Sequence, residues 1–393
     1  MGIRRKIGSS KNPPILSHEF VIQNHADIVS CVAMVFVLGL MFQWSSPYAS
    51  MFVAMQHNVT HVFNDTEIPD VTNYTCGKYD IFTIFFYLLV CVIIHAVVQE
   101  YILDKLNRRM HLSKVKHSKF NESGQLLFFY LVSAGWGADI AIRERYLLNL
   151  SSLWDGYPHT EMSFLLKFYF SIQIAYWIHI FPELYFQKIK KEDMGPRIRY
   201  ATLYLVFITG AYAMNLTRLA LVCLIIHYLV EALFHFARLM YFSDKNDIAK
   251  PGFFAWAVMF VIARFTTVTL AVLMFWFRLS KAENQEFDRA SGNFNTPLIR
   301  FNVLSAICFV QAWMMWNFIT FQLRRRREYL ATVAPKKKAP GKAKEKKPKK
   351  EDSRKKREER ELDSEDDSYL PEADQKIRNE HSGMKTRSRS RKN

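Results

Sequence analysis

The sequence predicts an all-α, polytopic membrane protein of about eight transmembrane helices, followed by a disordered basic tail. Three observations carry this. Half of the 393 residues are hydrophobic, 32 of them Phe, and long apolar runs recur across residues 27–322 but not after 324. The segments between the runs alternate between strongly basic and glycosylation-sequon-bearing. Residues 324–393 hold 25 Lys and Arg against 14 Asp and Glu, a net +11 of the chain's +17. Charge concentrated on a tail does not mark a basic globular domain. Cys31, Cys91, Cys223 and Cys308 lie in apolar runs and Cys76 in a loop, which excludes a disulfide framework or a CxxC zinc pattern.

The elements follow in order. Residues 1–27 form a basic N-terminus with Arg4, Arg5, Lys6 and Lys11. The run Ile28–Trp44 is too long for the core of a cleaved signal peptide, so it is read as an uncleaved first span. Residues 45–79 form a polar loop with sequons at Asn58, Asn64 and Asn73. Asp65 makes Asn64 a poor acceptor and Asn73 lies close to the next membrane entry, so Asn58 is the expected glycosylation site. The second span is Asp80–Tyr101, before a loop with Lys105, Arg108, Arg109, Lys114, Lys116 and Lys119. Residues 28–117 thus form a two-span unit, and 118–326 a helical bundle.

Within the bundle, Gly124–Ile142 is the third span and Met162–Phe181 the fourth, with a weaker sequon at Asn149 between them. Pro182 precedes a second basic loop with Lys188, Lys190, Lys191, Arg197 and Arg199. The fifth run, Tyr200–Met214, is short against the roughly 20 residues a span needs. The sixth is Leu219–Phe242, the seventh Phe253–Phe277 and the eighth Leu298–Leu323. With this count every basic segment falls on one side and every sequon on the other. By the positive-inside rule both termini are cytosolic and the sequons lumenal.

Residues 327–393 are low-complexity and charged and cannot bury a core. Runs such as Lys336–Lys338 fit a solvated topogenic tail, or a contact with anionic lipid or ribosomal RNA. Ser364, followed by Glu365, Asp366 and Asp367, fits an acidophilic kinase.

The chemistry-bearing stretch is the sixth span. As a helix it sets His227, Glu231, His235 and Arg238 within roughly 80° of one another. Leu221, Val222, Leu224, Ile225, Ile226, Leu229, Leu233 and Phe234 are left to face lipid. An ionisable stripe in a bilayer faces a bundle interior, a cavity or a partner. The spacing also fits a shared metal, but snorkelling of His235 and Arg238 at the cytosolic end and pairing of Glu231 explain it without one. His95, His179 and His227 lack adjacent partners for general-base work. Arg264, in the seventh span, pairs in this reading with Asp139 or Glu231. His227, Glu231, His235 and Arg264 are therefore the candidate lining of a polar groove, with no catalytic residue, metal or cofactor required.

Several long blocks are also familiar: Leu16–Phe36 (LSHEFVIQNHADIVSCVAMVF), Ile93–His111 (IIHAVVQEYILDKLNRRMH), Ser118–Leu126, Ala175–Asp193 (AYWIHIFPELYFQKIKKED), Ala282–Asn295 and Gln311–Ile319. Over about residues 1–330 the chain resembles the translocating chain-associated membrane protein family. The resemblance implies a non-enzymatic accessory in the endoplasmic reticulum membrane, beside the Sec translocon channel and in contact with nascent secretory and membrane proteins. Residues 118–326 also look like the TLC domain shared with ceramide synthases. Those carry a His pair and, later, a His-Asp-x-x-Asp group. Anchored on Asn215-Leu-Thr217-Arg218, the pair lands on Tyr200 and Ala201 and the second group on His227-Tyr228-Leu-Val-Glu231. Only His227 survives, which implies a synthase-like bundle without synthase chemistry. The alternative is a lipid-binding protein or N-acyltransferase using that bundle.

Overall fold

Each expected apolar run forms a helix in the computed structural model, which describes residues 17–61, 71–187, 189 and 191–333. Six helical stretches are long and apolar enough to cross a membrane: Asp80–Met110, Lys116–Arg143, Phe164–Phe186, Thr217–Phe242, Asn246–Lys281 and Pro297–Glu328. The protein is all-α and polytopic. The described residues form two units, 17–189 with 197–304, and 190–196 with 305–333. Every site discussed below lies in the first unit. The tail runs and Ser364 lie outside the described residues, as does Asn64.

The N-terminal part starts with α1 (His18–Gln23), capped by the Ser17 side chain, and α2 (His25–Gly39). Residues 45–79 are not the plain polar loop expected. They hold α3 (Ser46–Val53), with Pro47 in its first turn, and strands β1 (Asn58–His61) and β2 (Val71–Thr75). The strands pair antiparallel, with Asn58 opposite Tyr74. β3 (Glu161–Met162) then adds to β2. Glu161 Oε2 accepts from Asn73 Nδ2 at 2.9 Å and bonds His61 Nε2 at 2.8 Å, fixing the sheet across sequence distance.

The second expected span is one helix of 31 residues, Asp80–Met110. It comprises α4 (Asp80–Val97), a π-helical turn (Val98–Leu103) and α5 (Asp104–Met110). α6 (Lys114–Arg143) starts ten residues before the apolar run, at Ser113, whose side chain caps it. Gly124 lets it approach the π turn closely: a Cβ there would sit 2.4 Å from Leu103 Cδ2. α7 (Phe164–Phe186) continues through Pro182 and five residues beyond the expected end of the fourth span at Phe181. Proline removes one backbone N–H and kinks rather than ends a helix whose neighbours hold both halves. α8 (Lys191–Ala213) is 23 residues long, but its first turns carry Lys191, Arg197 and Arg199, so the short fifth run stays short as apolar length. α9 (Thr217–Phe242) and α10 (Asn246–Val272) follow, α10 running on into a second π turn at Leu273–Arg278. α11 (Pro297–Val333) ends the described chain.

α9 sits at the centre, packed along its length on α6 and α10, and α4 packs on α7 and α2. At the sequon-bearing ends a buried ion pair ties the layers together. Lys167 Nζ lies 2.7 Å from Asp80 Oδ1 and donates to the carbonyls of Gln56 and Thr75, each at 2.7 Å. Asp80 Oδ2 accepts from Tyr212 Oη at 2.8 Å and from the Gly77 N–H at 2.9 Å. The ammonium thus has three oxygens around it, and each carboxylate oxygen has a polar neighbour. Lys167 is 1 % exposed and Asp80 4 %.

Candidate functional site

The ionisable stripe of α9 divides into two places. Towards the middle, His227 meets two neighbours. Arg264 Nη2, from α10, lies 2.7 Å from His227 Nδ1, and the Tyr204 hydroxyl, from α8, bonds His227 Nε2. Glu231, one turn further on, holds an oxygen 4.0 Å from that Nε2. His227 and Glu231 are half-buried and Arg264 is buried. A guanidinium only donates. Nδ1 therefore accepts, the imidazole is neutral, and its proton sits on Nε2, facing Tyr204 and Glu231. Neither ring nitrogen keeps a free lone pair to take a substrate proton, which is what a general base must do.

His235 stands apart, two turns on. It is buried, its ring stacked on Tyr130 at 5.7 Å. Arg238 is buried as well, its guanidinium 5.5 Å from the Phe242 ring centre and 5.7 Å from that of Phe234. The expected snorkelling is absent because Val98, Leu103 and Phe120 pack with Leu239 and Phe242 over this end of α9. The lipid-facing assignment also fails for most of the helix. Leu221, Val222, Leu224 and Ile225 are buried against α6 and α10, while Leu229 is half exposed. A helix flanked on two sides buries apolar and polar faces alike. The pairing of Arg264 with Asp139 is overturned too: Asp139 is exposed at the end of α6 and bonds Arg143 at 2.8 Å.

Beside His227 lies a network that the linear sequence does not reveal. Gln173 Nε2 donates to Ser133 Oγ at 3.0 Å, Tyr228 Oη donates to Gln173 Oε1 at 2.8 Å, and Trp177 Nε1 donates to Tyr228 Oη at 3.2 Å. The Trp177 ring then stacks on Tyr204 at 3.8 Å with 8° between planes. Hydroxyls and side-chain amides thus run from α6 through α7 and α9 to α8 and end at the His227 cluster. Gln173 is a polar residue within the fourth apolar run; Ser133, Trp177, Tyr204 and Tyr228 were missed. A buried Tyr or Trp needs a partner for its polar tip, so the polar–aromatic spacing of the fourth, fifth and sixth runs was the available signal.

A second cluster joins two histidines that lack partners in sequence. His95 on α4 has Nε2 3.3 Å from Glu183 Oε1, and its Nδ1 lies 3.5 Å from His179 Nε2. Gln187 donates to Glu183 Oε1 at 2.9 Å. This group lies at the opposite end of α7 from Lys167. No set of three or more His, Cys, Asp or Glu among the described residues is arranged to hold a metal ion.

At the sequon-bearing side, Asn58 is exposed. The Asn73 amide is engaged by Glu161, and Asn149 Oδ1 accepts from the Ser151 N–H and hydroxyl. Glu161 is held below the usual carboxylate range by its bonds from Asn73 and His61. Burial pushes His159, in the same cap, down to about 4.

Comparison with known proteins bears on all of this. The TLC domain family matches residues 119–320, the stretch that supplies every member of the His227 cluster. A human protein named translocating chain-associated membrane protein 2 is 47 % identical over 340 residues, which are 86 % of this chain and 90 % of that protein. Its counterpart from Mus musculus is 48 % identical over 84 % of this chain and 87 % of its own length. A ceramide synthase of Gibberella moniliformis is 23 % identical over 59 % of this chain and 52 % of its own.

Proposed function

This chain belongs to the translocating chain-associated membrane protein family, and from that premise we propose that it is a non-enzymatic accessory of the Sec translocon in the endoplasmic reticulum membrane. In this reading it contacts signal sequences and transmembrane segments of nascent secretory and membrane proteins and eases their entry into the bilayer. The observation that carries the non-enzymatic part is His227. On the resemblance to the synthases it is the single retained member of their pattern, and its two nitrogens are taken by Arg264 and Tyr204. What remains is a polar, half-buried cluster of His227, Glu231 and Arg264. A charged or hydrogen-bonding group in hydrocarbon costs several kcal/mol. A weakly apolar nascent segment passing beside the cluster exchanges its polar groups' desolvation for contacts with these side chains. Tyr200, 37 % exposed on α8 and one turn before Tyr204 on the same face, is the position from which to look.

The same reading puts both termini in the cytosol, the sheet and its sequons in the lumen, and an N-glycan on Asn58, supported by its exposure against the engaged amide of Asn73. The test is photocrosslinking from a probe at Tyr200 to a nascent chain stalled in transit. Adducts with the nascent chain are expected. Adducts with channel subunits alone would sink the groove. A second reading, lipid binding or N-acyl transfer, draws on the TLC match. Turnover of a long-chain base and acyl-CoA by purified protein, abolished in His227→Ala, would favour it over ours.

A further inference from the structure

The helix Asp80–Met110 is longer than a bilayer needs. About 20 helical residues cross the hydrocarbon, so its last third, Tyr101 onwards, runs out into the headgroup region on the basic side. The π turn Val98–Leu103 falls at that boundary. A π turn takes in one extra residue and so rotates the face that follows. Past it, Leu103 and Asn107 are buried, Leu103 within the cluster that holds Phe120 and Phe242. The opposite face is open. Tyr101 is 58 % exposed, Ile102 50 % and Leu106 41 %, and Lys105, Arg108 and Arg109 are exposed among them. Lys105 Nζ lies 5.3 Å from the Tyr101 ring centre. Asp104 accepts from Gln99 at 2.7 Å. Arg108 and Arg109 have no carboxylate within ion-pair distance among the described residues, whereas Lys116 nearby is tied to Asp244 at 2.7 Å. Glu100 is exposed one turn towards the hydrocarbon.

We propose that α5 is a lipid-recognition element that holds anionic phospholipid headgroups of the basic-side leaflet. Arg108 and Arg109 grip phosphate through paired N–H donors, Lys105 adds a point charge, and Tyr101, Ile102 and Leu106 lie against the upper acyl chain. The interleaved apolar residues decide between phosphate sources. An RNA backbone leaves them in water, whereas at the membrane boundary they are in hydrocarbon and the basic heads snorkel above them. The choice of leaflet rests on the topology proposed above; the recognition itself does not.

The test uses the full-length protein in phosphatidylcholine vesicles carrying a trace of spin-labelled phosphatidylserine or phosphatidylcholine. Electron paramagnetic resonance then reads the motionally restricted fraction of each probe. Selectivity for the serine lipid of about fivefold at low salt is expected, falling at high salt. It should drop at least by half in Lys105→Gln/Arg108→Gln/Arg109→Gln and persist in Lys105→Arg/Arg108→Lys/Arg109→Lys, whose folding is expected to match. Equal selectivity in the wild type and the glutamine variant overturns the proposal. So does binding of added ribosomal RNA that only the wild type shows, with lipid selectivity unchanged. Symmetric vesicles make the result independent of orientation, and glycosylation mapping of loop 45–79 tests the topology separately.

Discussion

Two buried ionic groups in this protein are built on opposite plans. Asp80 and Lys167 meet at 2.7 Å, and Tyr212, Gly77, Gln56 and Thr75 bond the pair from around it. His227, Glu231 and Arg264 meet more loosely, with the nearest carboxylate oxygen 4.0 Å from the imidazole and the His227 and Glu231 side chains 13 % and 20 % exposed. A closed pair is a fastener, because burying two charges is tolerable only when their hydrogen-bonding capacity is used up. In the looser cluster the Glu231 carboxylate stays partly accessible. The difference separates a pair enclosed on every side from a cluster that is not, though both are charged residues in apolar helices.

The largest effect that would break the comparison is at Lys167. Lys167→Met leaves Asp80 buried without its cation and should cost about 3–5 kcal/mol, read as the midpoint of denaturant unfolding in detergent. Adding Asp80→Asn to it should return part of the loss; no recovery would mean that Lys167 acts by packing. Arg264→Leu should cost less, about 1.5–3 kcal/mol, as the loss of one hydrogen bond to a charged donor in a half-open setting. If Arg264→Leu equals or exceeds Lys167→Met, the two clusters are not different in kind. Tyr204→Phe should fall lower again, about 0.5–1.5 kcal/mol, and should leave crosslinking from Tyr200 in place.

The smallest effect is pH-dependent and belongs to the sheet-side cap. Unfolded His159 takes up its proton near pH 6.5, whereas folded His159, desolvated, does so only at about 4. Between those values the unfolded state binds more protons. Stability of the cap is thus whole above about pH 6.5 and falls as pH drops towards 4. Amide exchange of residues 149–163 at pH 7.5 and pH 5 checks this. Unchanged protection would show that His159 does not couple to the fold.

The spans were legible in the sequence because apolar length is a local property. The stripe at His227, Glu231 and His235 was legible because four-residue spacing on a helix is geometry. What was not legible depends on neighbours. Periodicity cannot say that α9 is flanked on both sides, so Leu221 and Leu224 were assigned to lipid and are buried. It cannot choose among partners: of the two given to Arg264, Asp139 is tied to Arg143 while Glu231 lies in the same cluster, and the bonded neighbour, His227, was not foreseen. Lys167 drew no notice at all. It sits in the first turn of an expected span, where a lysine normally snorkels, and its acceptors come from the loop before α4 and from Asp80.

That lysine also sets a clock. Thr75, whose carbonyl it holds, is made 92 residues earlier. At roughly 5–20 residues per second of synthesis, the start of α4 spends roughly 5–20 s at the membrane boundary before its counter-charge exists. During that interval neither Lys167 nor Tyr212 has been made, and of the groups that bond Asp80 in the folded protein only the Gly77 N–H is present. A protein proposed to shelter awkward segments is, while it is being made, one of them.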